Sequence, residues 1–302
     1  MNNLTLRQLR YFEALARQRH FGRAADISNV SQPALSAQIR ELEAGLGAAL
    51  FERGPRQVRL TAAGEALTGR IRAVLRAVDE LPDAVRAASE GPVARLRLGV
   101  IPTVAPYLLP RVIATLGAAH PGLDLRLRET QTSKLMDELG AGQLDAAIMA
   151  LPSGEEALTE APLLAEDFVL IRPAADAGKP VPGPEGLRRM RLLLLEEGHC
   201  FRDQALAFCQ GAAARPREVM DASALSTLVQ MVGAGIGVTL IPEMALPVET
   251  RAAQVSVARF PAPAPQRRIG LVWRRASPLE RQLRQLAAVL AAGLGEAATA
   301  EG

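Results

Sequence analysis

Phe21 to Arg53 reads FGRAADISNVSQPALSAQIRELEAGLGAALFER, and two short helices can be drawn on it around one tight turn. The first covers Phe21 to Ile27 and stops at Ser28-Asn29, side chains that favour turns by bonding their own backbone. Ser31 then offers its hydroxyl to the unpaired N–H groups of a new helix. Pro33 is tolerated there because first-turn N–H groups lack partners anyway. This second helix runs from about Gln32 to Ala44, with Leu35, Ile39 and Leu42 on one face and Gln32, Ser36, Gln38 and Arg40 on the other. Upstream, Leu6, Leu9, Phe12 and Ala16 repeat at helical spacing. The pattern predicts a helix-turn-helix whose polar face can enter a major groove, Gln and Ser meeting base edges and Arg meeting guanine or phosphate. Downstream, Leu50-Phe51 and Val58-Leu60 are predicted to pair as a ribbon around Gly54-Pro55, with Arg53, Arg56 and Arg59 at its tip and edge. That is a wing able to lie against phosphates or a minor groove. A three-helix bundle with a merely solvated polar face would show the same helical pattern.

Charge separates the segments. Residues 1–61 hold nine arginines against five acids, net +4, so the other 241 residues sum to −1 of the total +3. A basic head on a near-neutral body points towards nucleic acid. Hydrophobic residues at 49% and charged residues at 22% are ordinary for a globular chain. No apolar run approaches the roughly 20 residues that span a bilayer, and the N-terminus lacks a signal-peptide pattern, so a cytoplasmic protein is expected. Two cysteines and three histidines, with no CxxC or HxxxH spacing, predict neither a disulfide scaffold nor a metal site, and no cofactor is expected.

The head stretch FxxAAxxxxVSQPALSxQIRxLExxLGxxLFER resembles the N-terminal domain of the LysR family of bacterial transcription regulators nearly residue for residue. The resemblance implies that Ser31, Gln32, Pro33, Ser36 and Arg40 form the DNA-facing group, with Arg53 and Arg56 in the wing.

From Thr61 to about Glu90, Leu67, Ile71, Val74, Val78, Leu81 and Val85 step by four and three, the coiled-coil period, interrupted only by Pro82. One helix of about 30 residues with such a seam is expected to pack on a second copy; the alternative is packing on this chain's own body. Beyond Ser89-Glu90-Gly91-Pro92 the pattern alternates strand and helix. Predicted strands are Leu96–Ile101, Leu123–Glu129, Ala146–Ala150, Phe168–Ile171, Leu192–Leu195, Val238–Ile241 and Ile269–Trp273. Buried strands separated by helices suggest parallel sheets with crossovers, the last strand and helix returning to the first lobe as in periplasmic binding proteins. The expected organisation is a winged helix-turn-helix DNA-binding domain at 1–61, a linker and dimerisation helix at 62–90, and a two-lobed α/β regulatory domain at 91–302. A ligand would sit between the lobes, where Thr103 and Thr132 end strands. Capping the next helix is the commoner use of such a Thr.

LLLLEEGHCFRDQALAFC (192–209) puts Cys200 at a helix start after a buried strand. The helix N-terminus, His199 and Arg202 would each favour the thiolate, the form that attacks an O–O bond. Cys209 is nine residues later, about 13.5 Å along an unbroken helix, whereas a disulfide needs Cα atoms within roughly 7 Å. Bonding them therefore requires the segment to unwind, which suits a two-state redox switch. A cysteine beside Phe208 is otherwise most often a small buried hydrophobe.

GHCFRDQALAFC, GVIPTVAPYLLP (Gly99 to Pro110), ETQT (Glu129 to Thr132) and RRIGLVWR (Arg267 to Arg274) resemble the peroxide-sensing members of the LysR family. The similarity covers the whole chain. It implies Cys200 as the peroxidatic and Cys209 as the resolving thiol, reacting with hydrogen peroxide. It also implies a pocket of Thr103, Thr132, His199, Arg202 and Asp203, with Arg268, or its neighbour Arg267, supporting the thiolate. Where those proteins tend to carry His-Phe-Arg, this chain reads Val219-Met220-Asp221. Expected partners are double-stranded promoter DNA, a second copy as dimer or tetramer, RNA polymerase, and a thiol reductant such as glutaredoxin or thioredoxin; no membrane. Two other readings stay open: a regulator binding a small metabolite between the lobes, and a thiol peroxidase.

Overall fold

The computed structural model describes residues 4–54, 58–88, 93–209 and 219–295. Two compact units divide the chain, Met1–Val85 and Arg86–Gly302.

In the first unit, α1 (Leu6–Gln18) opens on a capping box. The Thr5 hydroxyl accepts from the Gln8 N–H at 3.2 Å while Gln8 Oε1 accepts from the Thr5 N–H at 3.0 Å. α2 (Phe21–Ile27) and α3 (Gln32–Leu46) follow, α3 starting on Ser31, whose hydroxyl accepts from the Ala34 N–H, and ending at Gly47. Phe12, Leu15, Leu35, Ile39 and Leu42 are buried at the centre of the three helices. β1 (Phe51–Arg53) pairs antiparallel with β2 (Val58–Leu60), the predicted wing.

The linker departs from expectation. It forms two helices, α4 (Ala62–Asp79) and α5 (Leu81–Ala88), broken at Glu80. Pro82 is the cause: it has no N–H to give, and its ring collides with the carbonyl four residues back. The predicted seam is also divided. Ile71 and Leu75 are buried in the head's own core with Leu67 packed against it, while Val74, Leu81 and Val85 are exposed. α4 can approach so closely because Gly64 has no side chain; a Cβ there would lie 2.2 Å from the Leu50 carbonyl oxygen.

The second unit contains a mixed sheet. β3 (Arg95–Val100), α6 (Ala105–Ala119), β4 (Asp124–Glu129), α7 (Thr132–Gly140) and β5 (Ala146–Leu151) make parallel crossovers, with β3 between β4 and β5. β6 (Leu158–Pro173) then runs 16 residues through both lobes. α8 (Pro184–Arg189), β7 (Leu192–Leu195), α9 (Cys200–Cys209), β8 (Val219–Ala222), α10 (Leu225–Gly233), β9 (Thr239–Pro242), α11 (Leu246–Glu249) and β10 (Val255–Arg259) build the second lobe, in which β7 and β8 pair in parallel. β11 (Gln266–Arg274) and α12 (Glu280–Gly295) return to the first lobe, as predicted. The parallel crossovers are joined by antiparallel pairs that were not foreseen: β11 lies antiparallel to β5 and β6, and β6 pairs antiparallel with β9 and β10. Each lobe has its own core. Leu158 and Leu163 at the start of β6 belong to one, and Phe168 to Ile171 further along belong to the other. Among the described residues no helix is long and apolar enough to cross a membrane.

Candidate functional site

Buried β7 delivers the chain to Glu196-Glu197-Gly198, where Gly198 adopts φ 95°, a left-handed turn that a side chain would strain. The turn buries His199 and starts α9 at Cys200. Cys200 is half-buried against the first lobe's core, whereas its neighbour Phe201 is buried in the second lobe's core, edge-on to Phe168 at 5.1 Å. The thiol thus stands where the two cores meet. Cys209 is the last residue of the same helix; its side chain lies outside the described residues.

Thr103 and His199 line one cleft between the lobes, of about 330 Å³, together with Tyr107, Gln131 and Glu249. Across it the Tyr107 hydroxyl donates to Glu249 at 2.6 Å. The hydroxyl of Thr132, at the N-terminus of α7, is buried without a partner among the described residues. Burial pushes the His199 pKa below its ordinary 6.5, against an opposing pull from Glu196, so the imidazole is held neutral near pH 7.

The other predicted members separate. Arg202 is engaged by the neighbouring strands. Its Nη1 donates to the Leu195 carbonyl at 2.7 Å and to Asp221 Oδ1 at 2.5 Å, across the ends of β7 and β8. Asp203 is exposed on α9. Arg268 is exposed too, because side chains alternate along β11 and its neighbour Arg267 takes the buried face. Arg267 donates from Nη1 to Thr103 Oγ1 and from Nη2 to the Thr103 carbonyl, both at 2.9 Å, and from Nε to Glu166 at 2.8 Å. Its guanidinium also sits 5.4 Å from the Phe201 ring centre. Burial raises the Glu166 pKa while Arg267 and the Met244 N–H lower it. Arg267 therefore joins the cleft wall, α9 and the long strand β6. Glu166 is not singled out in the sequence, and Asp221 stands out there only within Val219-Met220-Asp221, the departure from the family's usual His-Phe-Arg, with no role assigned to it. Nothing local marks Glu166, although alternation counted back from buried Ile269 would have chosen Arg267 over Arg268.

In the first unit, Ser31, Gln32, Pro33 and Arg40 are exposed and Ser36 is half-buried along α3. Arg53 ends β1, with a side chain outside the described residues, as is all of Arg56.

The arrangement combines a solvent-reachable thiol, a neutral imidazole beside it, and threonine hydroxyls suited to a small polar ligand. Known proteins are similar to this chain along most of its length. Residues 6–65 match the family described as the bacterial regulatory helix-turn-helix protein, lysR family, and residues 89–295 match the LysR substrate binding domain. A probable hydrogen peroxide-inducible genes activator from Streptomyces viridosporus is 45% identical, over 95% of this chain and 93% of its own. The DNA-binding transcriptional dual regulator OxyR of Escherichia coli is 43% identical, over 96% of this chain and 95% of its own. Among solved structures, a cysteine-to-serine mutant of Corynebacterium glutamicum OxyR with hydrogen peroxide bound superimposes with a TM-score of 0.66, at 37% identity, over 97% of this chain and 93% of that one.

Proposed function

Because the chain belongs to the LysR family of bacterial transcription regulators, we propose that it binds promoter DNA through its first unit and senses hydrogen peroxide through Cys200 and Cys209 in its second. The observation that carries this reading is that both cysteines cap one ten-residue helix, α9, whose first residue is a half-buried thiol between two cores. The Cys200 thiolate attacks peroxide, giving a sulfenic acid and hydroxide. The Cys209 thiol then displaces that hydroxyl, forming the disulfide and releasing water. Two electrons pass from two thiols to one peroxide. Neutral His199 can take the Cys200 proton, and the Thr103 and Thr132 hydroxyls can bond the peroxide oxygens. Arg267 holds Thr103 in place from behind.

On the DNA side, exposed Gln32 and Arg40 read bases, Ser31, Pro33 and Ser36 shape the helix start, and Arg53 and Arg56 meet phosphate. The exposed remainder of the seam, Val74, Leu81 and Val85, suits pairing with a second copy in a dimer or tetramer. Further partners would be RNA polymerase and a thiol reductant such as glutaredoxin or thioredoxin, all in the cytoplasm. The protein is a regulator, not an enzyme: each chain reacts once until it is reduced.

The test is a peroxide titration of the full chain. One equivalent should convert two thiols to one Cys200–Cys209 disulfide and stop. Cys200→Ser should abolish the response, and Cys209→Ser should leave a sulfenic acid that dimedone traps. The size of the cleft favours one other reading, a metabolite-binding regulator with incidental cysteines. That protein would not react with the first equivalent, and a thiol peroxidase would turn over many.

A further inference from the structure

We infer that Asp221 positions the switch helix: by holding Arg202 onto the ends of β7 and β8, it resists the unwinding that joins Cys200 to Cys209. The inference rests on the redox reading above, and its logic is geometric. Arg202 is the third residue of α9 and its side chain is only 16% exposed. Its guanidinium donates from one nitrogen both to the carbonyl of Leu195, the last residue of β7, and to Asp221 Oδ1. Leu194 and Asp221 are register partners in the parallel β7–β8 pair. One side chain thus fastens the first turn of α9 to two strands of its lobe.

That turn must move when the disulfide forms. Nine helical residues separate the sulfurs' Cα atoms by about 13.5 Å, and Arg202 lies within the loop that the bond closes. Nothing in the first chemical step requires such movement, because peroxide reaches Cys200 where it stands. The sulfenic acid forms with the loss of hydroxide from peroxide while α9 is intact. Disulfide formation then expels the sulfenic oxygen as water as Cys209 supplies sulfur and proton. Only this second step works against the Arg202–Asp221 contact. Asp221 therefore acts through Arg202, on the partition between sulfenic acid and disulfide and on the redox poise of the pair.

Asp221 is half-exposed, so it can be replaced with little risk to folding, and solvent screening limits the effect. In the full chain, Asp221→Ala should speed disulfide formation by about three- to tenfold after a peroxide pulse, as expected for one screened charge-assisted hydrogen bond. It should also shift the reduction potential of the pair more negative by roughly 15–30 mV, since a tenfold change is about 30 mV for two electrons. Asp221→Asn should fall between, and Asp221→Glu should restore wild-type values. On a Cys209→Ser background the dimedone-labelling rate of Cys200 should not change. The inference is overturned if disulfide rate and potential match wild type in both the Ala and Asn variants, or if the labelling rate moves as much as the disulfide rate. A wild-type chain that forms no disulfide at all would overturn the redox reading, and this inference with it.

Discussion

Adjacent arginines on β11 have opposite environments. Arg267 is wholly buried against Glu166 and Thr103, and Arg268 faces solvent. Removing the Arg267 side chain leaves Glu166 buried without its counter-charge, which typically costs about 3–5 kcal/mol. Arg267→Ala should therefore lower the urea midpoint sharply, while Arg268→Ala should stay within about 0.5 kcal/mol of wild type. Equal midpoints would reverse the assignment. His199 gives a second residue-scale prediction. Burial depresses its pKa in the folded chain, and the unfolded chain regains about 6.5. Between those values the unfolded state binds the extra proton, so stability should fall as pH drops below about 6.5 and be indifferent above it. His199→Asn should flatten that acid slope in urea titrations; an unchanged slope would place its origin elsewhere. Cys200, His199 and Thr103 were legible in the sequence because each stands in a short local pattern. Glu166 was not, because its partner Arg267 is 101 residues away and only pairing along β6 and β11 brings them together.

At the scale of elements, α3 separates stability from recognition. Ser31 caps it, so Ser31→Ala should cost about 1 kcal/mol. Gln32→Ala and Arg40→Ala should leave the unfolding midpoint near wild type, because both side chains are exposed. They should instead relax sequence preference in footprinting; unchanged preference would remove this face as the reader. The same contrast explains what could be foreseen of the fold. α2 and α3 were legible because capping and turn residues mark their ends, and α9 because it starts on a glycine turn after four leucines. The break between α4 and α5 follows from Pro82, which the heptad spacing outweighed in the sequence reading. β8 and β10 went unseen: each is short, and Val219-Met220-Asp221 has no alternating pattern to mark a strand. β6 was seen only at Phe168–Ile171, because the stretch before it is mostly half-buried, carries Pro162 and the acids Glu160, Glu166 and Asp167, and shows no clean alternation. Unwinding α9 is costly because it exposes packed aromatic side chains. Phe201 is fully buried, worth roughly 1.5–3 kcal/mol, and Phe208 packs edge-on against Phe260 at 5.1 Å. On the proposed function a Cys200–Cys209 disulfide has to offset that loss, so the helix is the favoured form of the reduced chain.

For the whole molecule, the account joins a reader of DNA and a thiol pair held apart by a helix. Oxidation should alter the DNA footprint of the wild-type chain and leave that of Cys200→Ser unchanged. On the proposed function, one peroxide converts a helix with a cysteine at each end into a bonded loop. It is tested most directly by combining peptide mapping with hydrogen exchange on the full chain before and after one equivalent of hydrogen peroxide. A single intramolecular Cys200–Cys209 bond is expected, with exchange across 200–209 rising by orders of magnitude while α3 and β3 stay protected. A chain that mapped to two free thiols, or formed the bond with α9 still protected, would contradict it.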